Sequence, residues 1–432
     1  MIRHEGAPVS VQPGRLGAAF LAEIEAALAT SDAVLSDRYP GDDGSRQPVH
    51  TVYVPADRYS ADLPQAWGRA ALEAAADHGG LAAIARSTVA RTDSAATALA
   101  DLVENKLRTE PIEDLRIDFE DGYGVRADDE EDAHVSAAVA AIRAAGDASP
   151  PFLGIRFKCF ETDVRARGLR TLDLFVSGLA DTGELPAGLT LTLPKVTSTD
   201  QVLAMVTVAR ELERVHGFAD GRIGFEIQVE TPQSVMGADG TAAVAAMIQA
   251  GEGRVTALHY GTYDYSASLG IAAAYQSMEH PVADHAKAVM QLAAAGTGVR
   301  LSDGSTNILP VGDAEAVEAG WALHARLVRR HLERGFYQGW DLHPAQLVTR
   351  FLATYAFYRD GFDSAAVRLR NYAHKLESSV LDEPATARAL AGFIRRGEVC
   401  GALTVDEVET ATDLPIEKVR DFALPHSQRT TR

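Results

Sequence analysis

The chain has 432 residues, of which 46% are hydrophobic and 23% are charged, and its formal net charge is −19. This length predicts one large globular domain with an appendage rather than a single small core. The acidic balance disfavours nucleic acid as a partner, because DNA and RNA phosphates require a basic surface.

Cysteine usage and the absence of long apolar runs narrow the class further. Cys159 and Cys400 are the two cysteines, and neither lies in a CxxC or Cys/His spacing, so we expect no disulfide framework and no zinc site. Met1–Arg15 contains no apolar signal core, and no uninterrupted apolar run approaches membrane length. We therefore expect a cytoplasmic protein that does not associate with membranes.

In chain order, the first predicted elements are an amphipathic helix at Leu16–Ala29 and a polar loop at Asp37–Arg46. Strand-like segments then alternate with segments of helical period. The eight predicted strands are Val49–Val54, Leu115–Phe119, Phe152–Phe157, Leu189–Leu193, Ile223–Val229, Thr256–Tyr260, Gly298–Leu301 and Tyr337–Leu342. The predicted helices between them include Pro64–Asp77, Glu131–Ala145, Asp200–His216, Val282–Ala295 and Ala314–Arg334.

This alternation predicts an α/β fold, a (β/α)8 TIM barrel. A doubly wound open sheet is the alternative, and it is disfavoured because no glycine-rich dinucleotide turn follows the first strand. The gap Ala61–Asp114 predicts two helices, and Asp200 is the expected N-cap of its helix. After Arg359 the expected helices are Ser364–Ser379, Glu383–Arg396 and a capped Thr404–Thr412. The expected organisation is an N-terminal helical extension at 1–45, a catalytic barrel at 46–360 and a C-terminal helical tail at 361–432.

Two carboxylates stand at matching places after the fifth and sixth predicted strands. These are Glu230 and Asp264, and Gly261 just before Asp264 permits close approach of the backbone to a ligand. In a parallel barrel both acids lie at the carboxyl ends of neighbouring strands, where such barrels do chemistry, and hard oxygen donors suit Mg²⁺. The alternative is helix capping, which Thr231-Pro232 favours for Glu230. Taken as a pair, the acids predict a metal site.

The second predicted strand ends in the acidic run Asp118-Phe119-Glu120-Asp121. Charges this dense repel one another unless something offsets them. The functional interpretation is that Glu120 and Asp121 support a cation and its waters or handle protons. The alternative is an acidic loop that caps the following helix. Strand-end positions in barrels favour the functional interpretation.

Arg156 lies at the end of the apolar third strand, and a buried guanidinium requires a partner. A substrate carboxylate would satisfy it through a two-pronged contact. The alternative is a structural ion pair with Glu120 or Asp121, and both can hold at once. We predict substrate binding.

Several other strand-end residues have more than one possible role. Lys195 could form a Schiff base, although the acid pair makes a structural or electrostatic role the better interpretation. Asp341 and His343 could act as acid and base, or His343 could be a structural hinge before a helix. Asp303 lies in ordinary turn sequence. No GxxxxGK[ST], GxSxG or HExxH motif is present.

In this order, the strand-end motifs resemble the HpcH/HpaI aldolase and citrate lyase beta-subunit superfamily, which includes malyl-CoA lyases and malate synthases. The resemblance spans roughly residues 50–350. The matching motifs are Val52-Tyr53-Val54-Pro55, Asp118-Phe119-Glu120-Asp121, Gly154-Ile155-Arg156, Leu193-Pro194-Lys195, Val229-Glu230-Thr231, Gly261-Thr262-Tyr263-Asp264-Tyr265 and His343-Pro344-Ala345-Gln346.

The resemblance implies a barrel that binds Mg²⁺, with Mn²⁺ as an alternative ion, through Glu230 and Asp264. It implies that Arg156 holds a 2-oxo acid carboxylate and that Glu120 and Asp121 line the same site. Gly261 and Thr262 are then expected at the substrate. Such enzymes make or break a carbon–carbon bond next to a carbonyl, often with a CoA thioester as co-substrate, and are usually homo-oligomers.

The sequence hypothesis is therefore a Mg²⁺-dependent carbon–carbon lyase or aldolase acting on small 2-oxo or 3-hydroxy acids or their CoA thioesters. The alternatives are a phosphoenolpyruvate- or pyruvate-type enzyme of the same barrel superfamily and a catalytically silent barrel scaffold. Two interpretations exist for the basic residues Arg165, Arg167 and Arg170: they could contact CoA phosphates, or they could form a solvated helix face.

Overall fold

A computed structural model describes residues 15–181, 183–376 and 382–425. The last three residues of the predicted helix Ser364–Ser379 lie outside this described part. The chain divides into two compact units, Met1–Pro40 and Gly41–Arg432.

The second unit contains a parallel eight-stranded barrel, which confirms the predicted fold class. The strands are β1 Thr51–Pro55, β2 Asp114–Asp118, β3 Phe152–Arg156, β4 Leu189–Leu193, β5 Phe225–Val229, β6 Val255–Tyr260, β7 Arg300–Ser302 and β8 Trp340–Asp341. They follow the order β7-β6-β5-β4-β3-β2-β1-β8, and every paired neighbour is parallel. A parallel bridge between Ser302 and Gln338 joins the two outer strands and closes the ring. The carboxyl ends of all strands therefore lie at one rim.

Helices connect successive strands and follow the last one. In the described residues they are α1 Ala18–Arg38, α2 Leu63–Asp77, α3 Leu81–Thr88, α4 Asp93–Thr109, α5 Asp128–Ala145, α6 Arg165–Ala180, α7 Thr199–His216, α8 Pro232–Val235, α9 Ala243–Ala250, α10 Thr262–Ser268, α11 Pro281–Ala294, α12 Ala314–Glu333, α13 Pro344–Ala373, α14 Pro384–Val399, α15 Val405–Thr412 and α16 Ile416–Ala423. Short 3₁₀ helices lie at Ala56–Arg58, Gly146–Ala148 and Ala273–Tyr275.

Three details of the predicted helices were wrong. The gap after β1 holds three helices, α2 to α4, rather than two. Helix α7 begins at Thr199 with Ser198 in the extended N-cap conformation, so Asp200 lies in the first turn, where its charge complements the helix dipole. The predicted helix at Leu16–Ala29 continues to Arg38, and none of its side chains is buried. The capped helix after Thr404 is confirmed, with Thr404 and Glu407 forming a reciprocal capping box.

The barrel strands bury both faces, as parallel strands covered by helices do. Apolar residues of the strands, such as Ile117, Ile155 and Leu258, are fully buried in the main hydrophobic core. The polar set within the barrel is centred on Arg116, whose Nη2 donates to Glu226 Oε2 at 2.8 Å and whose Nε donates to Thr192 Oγ1 at 3.1 Å. Charge inside the barrel is thus compensated pair by pair.

Within the described ranges, none of the helices combines the length and the apolar character needed to cross a membrane.

Candidate active site at the carboxyl end of the barrel

An ion pair between the last residues of β2 and β3 forms one wall of the rim. Asp118 and Arg156 are direct partners in the parallel register, so their side chains point the same way. The Arg156 Nε and Nη2 atoms each donate to an Asp118 oxygen at 2.7 Å. The remaining nitrogen, Nη1, lies 3.4 Å from Gln228 Oε1 and 3.5 Å from Glu120 Oε2. Asp118 therefore neutralises one edge of the guanidinium at short distance, whereas Nη1 on the other edge has only these two longer contacts in the described residues.

Lys195 lies at the centre of the rim, among carboxylates from three different strand ends. Its Nζ is 2.7 Å from Asp121 Oδ2, 3.0 Å from Glu120 Oε1 and 3.4 Å from Asp264 Oδ2. Its backbone N–H donates to Glu230 Oε1 at 2.8 Å. The backbone adopts a positive φ of 50°, a left-handed conformation that is uncommon for a residue with a side chain. The surrounding contacts hold Lys195 in this conformation, so three carboxylates pair with its ammonium group and a fourth accepts from its backbone N–H.

Glu230 is buried at the end of β5 and is fixed on two sides. Gln228, two residues earlier on the same face of the strand, donates to Glu230 Oε2. On the other side lies Gly261, where an added Cβ would come within 2.5 Å of Glu230 Cβ and 2.6 Å of its Oε2. Glycine at this position is therefore required by the close approach of its backbone to the Glu230 side chain.

This packing predicts the effect of Gly261→Ala. The methyl group forces Glu230 to move, so we expect a loss of about 1–3 kcal/mol in the free energy of unfolding and weaker binding of divalent cations. Thermal denaturation and Mn²⁺ titration calorimetry measure the two effects. Gly17→Ala is the control, because nothing lies within 4 Å of a Cβ at that position. Unchanged Mn²⁺ affinity in Gly261→Ala would contradict the predicted role of this contact.

Burial sets the protonation of the acids in this site. Desolvation raises the pKa of Glu230 to about 8, although Lys195 and Arg156 lower it. Desolvation also raises the pKa of Glu120 to about 7, against the opposing effects of Arg156 and Lys195. Burial lowers the pKa of Lys195, but attraction by Glu230 and Glu120 outweighs it and raises that pKa overall. The site thus holds more negative potential than its own cations neutralise.

The raised pKa of Glu230 predicts a pH dependence of stability in EDTA. Because the folded protein holds this proton up to about pH 8, whereas an unperturbed glutamate loses it near 4.5, the stabilisation is fully present below pH 4.5. It is lost as the pH rises through 8. Between about pH 5 and about pH 9 the melting temperature of the wild type is expected to fall more steeply than that of Glu230→Gln. Parallel curves for the two proteins would refute the assignment.

The acidic side chains of the site are candidate oxygen ligands for a divalent cation. In the part of the chain that the structure describes, no group of three or more His, Cys, Asp or Glu side chains is arranged to hold a metal ion. Mg²⁺, however, is commonly bound by one or two carboxylates, with water and substrate completing its shell. Glu230 and Asp264 provide hard oxygens that both contact Lys195, and the carboxylates of Glu120 and Asp121 lie within 3.0 Å of the same ammonium group. The residues present fit such an ion.

The other predicted site residues are placed as follows. Thr262 is buried, and its hydroxyl donates to the Ser305 carbonyl at 3.2 Å, so it fixes α10 to the loop after β7. Asp341 is fully buried and faces outward, where His50, His324 and Arg350 engage it. The sequence suggested Asp341 as an acid or base. It does not show which face of so short a strand meets the helices, so it could not predict that Asp341 is packed there.

His343 takes the hinge-like role that was one of its two interpretations. It is the N-cap of α13, and its Nδ1 accepts from the Ala345 N–H at 3.2 Å. Asp303, considered as turn sequence, is instead buried in an ion pair with Lys287 at 2.9 Å. Both residues therefore serve the attachment of helices to the barrel.

The basic segment at the start of α6 is paired with acids of α5. Arg167 and Arg170 both contact the Asp132 carboxylate, and Arg165 donates to the Phe160 carbonyl at 3.0 Å. Arg167 and Arg170 are thus held in ion pairs with α5, whereas Arg165 contacts a backbone carbonyl, and contact of this segment with CoA phosphates stays a prediction.

Sequence reasoning did not assign Gln228 to the site, and it named Asp118 only as part of an acidic run and Lys195 only as a structural or electrostatic residue. For Gln228 a signal existed, because Glu226, Gln228 and Glu230 alternate along β5 and must share the inner face. For Asp118 the signal was its position opposite Arg156, which is visible only once the register of β2 and β3 is known.

Comparisons with solved structures find proteins of similar fold at low identity. Haloferax volcanii malate synthase in a magnesium/glyoxylate complex is 13% identical at a TM-score of 0.46, with 87% of this chain and 97% of that one covered. Protein CitE from Mycobacterium tuberculosis, in complex with magnesium, acetoacetate and coenzyme A, is 20% identical at a TM-score of 0.47, with 82% and 100% covered. An HpcH/HpaI aldolase/citrate lyase family protein from Burkholderia cenocepacia J2315 is 16% identical at a TM-score of 0.41, with 74% and 95% covered.

No curated protein matches the chain. A family model described as "Domain of unknown function (DUF6986)" matches residues 28–427, which include the whole barrel and the helices after it. The chain therefore belongs to the DUF6986 family.

Proposed function

We propose that the protein is a divalent-metal-dependent carbon–carbon lyase or aldolase that acts on small 2-oxo or 3-hydroxy acids or their CoA thioesters. The observation that carries the proposal is the convergence of Glu120, Asp121, Glu230 and Asp264 around Lys195, beside the weakly held Nη1 of Arg156. More carboxylates than cations, next to a guanidinium nitrogen whose contacts are long, suit a site that takes a cation together with an anionic substrate.

In this proposal Glu230 and Asp264 hold Mg²⁺ or Mn²⁺. Such an ion, when bound, polarises a carbonyl group and stabilises negative charge that develops on its oxygen. Arg156 binds the substrate carboxylate through Nη1, because Asp118 already occupies Nε and Nη2. Gly261 and Thr262 form the backbone wall beside Glu230.

Glu120 is the proposed proton carrier, which is one of the two functional roles that its sequence position suggested. Burial raises its pKa to about 7, so the carboxyl group can take up or release a proton near neutral pH. Its two oxygens lie beside Lys195 and Arg156 and are thereby oriented toward the site. Asp121 holds Lys195 at 2.7 Å, and the lysine in turn offsets the charge of the remaining acids.

The test is a screen of pyruvate, oxaloacetate and glyoxylate, each with and without acetyl-CoA, combined with Mn²⁺ titration calorimetry. A lyase or aldolase of this kind gives a product whose formation EDTA abolishes and Mg²⁺ restores. The phosphoenolpyruvate alternative gives turnover of phosphoenolpyruvate instead. A protein that binds no Mn²⁺ and gives no EDTA-sensitive product is the silent scaffold, and the proposal is then wrong.

A further inference from the structure

A cavity of about 200 Å³ opens at the opposite, amino end of the barrel. It is bounded by the segment that leads into β1, by the start of β7 and by the end of α14. The five residues of β1, at about 3.3 Å each, separate this cavity from the catalytic rim by roughly 15 Å. It is therefore distinct from the candidate active site.

Arginines dominate the charge of this cavity. The charged side chains that line it are Asp42, Asp43, Arg300, Arg395 and Arg396. Three positive and two negative charges leave a formal excess of +1. The buried part of the cavity is thus electropositive, although the protein as a whole carries a net charge of −19.

Arg395 is the most deeply placed of the three. Only 6% of its surface is exposed, and its Nη2 donates to Asp42 Oδ2 at 2.8 Å. Its Nε is buried without a hydrogen-bond partner in the described residues. A buried, unpaired guanidinium N–H is costly, because water is lost and no acceptor replaces it. This donor lacks an acceptor that a ligand could supply.

Arg300 and Arg396 are also incompletely paired. Arg300 donates to the Ser45 hydroxyl and forms no ion pair with any carboxylate of the described ranges. Arg396 lies over the Tyr337 ring at 4.2 Å, with Asp42 Oδ2 3.5 Å away. Desolvation lowers the pKa of Arg300 and of Arg395, and mutual repulsion adds to the effect. The carboxylates of Asp42 and Asp43 raise both pKa values, so burial is the main reason that they are lowered.

We propose that this cavity binds a small oxyanion through Arg300, Arg395 and Arg396. Guanidinium groups recognise phosphate and carboxylate through paired N–H donors. The volume is below the roughly 300–1,000 Å³ of pockets that hold drug-sized ligands, so the ligand has the size of inorganic phosphate or a short dicarboxylate. The bound anion connects β7 to α14 and therefore stabilises the attachment of the C-terminal helices.

Isothermal titration calorimetry with sodium phosphate and with sodium malonate, at constant ionic strength in chloride, tests the proposal. Phosphate binding alone assigns a phosphate site, and malonate binding alone assigns a carboxylate site. Arg300→Gln is expected to lower the affinity for the anion by at least about tenfold, since one charge-assisted donor is lost. Arg210→Gln removes the same charge from α7, where the side chain is half-exposed, and is expected to leave the affinity unchanged.

Arg300→Lys is the second variant, and circular dichroism melting checks that each protein folds. Lysine keeps the charge but loses the planar fork, so the affinity is expected to fall between those of wild type and Arg300→Gln. No heat of binding for either anion, or equal affinities in wild type and both Arg300 variants, would overturn the proposal. Binding of unchanged affinity at Arg300→Gln would assign the anion to another site, such as Arg156, with the same consequence.

Discussion

Asp264→Asn is expected to abolish Mg²⁺-dependent turnover while the barrel remains folded. The side chain of Asp264 is 46% exposed, and its recorded ion pair is with Lys195 at 3.4 Å, so its replacement leaves no buried charge unpaired. A carboxylate that ligates the ion contributes several kcal/mol to catalysis, which corresponds to a loss of at least about 100-fold in kcat/KM. Initial rates at increasing Mg²⁺, together with thermal melting, measure both parts of the expectation.

Asp200→Asn is the matched control for this change. Asp200, like Asp264, lies in the first turn of a helix that follows a strand, but the carboxylates that form ion pairs with the Lys195 ammonium group are those of Glu120, Asp121 and Asp264. We expect wild-type rates and wild-type Mn²⁺ affinity in the control. If Asp264→Asn also retained wild-type Mn²⁺ affinity and rate, the metal assignment would be wrong.

Arg156→Met is expected to remove activity and also to destabilise the fold. Asp118 is buried, and the substitution takes away the two donors that neutralise both of its oxygens. Breaking a buried ion pair from one side generally costs about 3–5 kcal/mol. Backbone N–H groups of Glu120 and Gly122 still donate to Asp118. We therefore expect the free energy of unfolding, measured by urea denaturation, to fall by about 3 kcal/mol.

A double variant separates the two effects of Arg156→Met. Asp118→Asn combined with Arg156→Met removes the buried charge, so we expect recovery of about half of the lost stability without recovery of activity. Arg170→Met makes the same chemical change where the side chain is 55% exposed and pairs with Asp132. There the loss is expected to stay below about 1 kcal/mol. A restored activity in the double variant would show that Arg156 has no role at the substrate.

The strands were the part of the structure that sequence predicted best. All eight predicted strands exist, and Leu189–Leu193 has the observed bounds. The helices between β1 and β2 were less well predicted, because Gly79 and Gly80, which both have positive φ, separate α2 from α3 within a continuous helical pattern. An alternating or apolar strand is a local pattern, whereas such a break depends on where the chain must turn.

The sequence predicted which strand-end residues belong to the candidate site, but not how their side chains are arranged in space. Glu120, Asp121, Arg156, Glu230 and Asp264 were each singled out from sequence, and the structure brings them to one rim. Sequence did not reveal that the lysine following Pro194 lies at the centre of these acids. Its side chain reaches them because β4 lies between β3 and β5.

The sequence alone was enough to predict the period of each element and the order of strands and helices. It also identified the acids and the arginine that end particular strands, because all of these are properties of short segments. Three features became visible only in the folded chain: Arg156 pairs closely with Asp118 and more loosely with Gln228 and Glu120, Asp341 faces the helices, and three arginines converge at the amino end. Register, strand facing and burial arise from contacts between segments far apart in the chain. The charge that each group carries depends on those contacts.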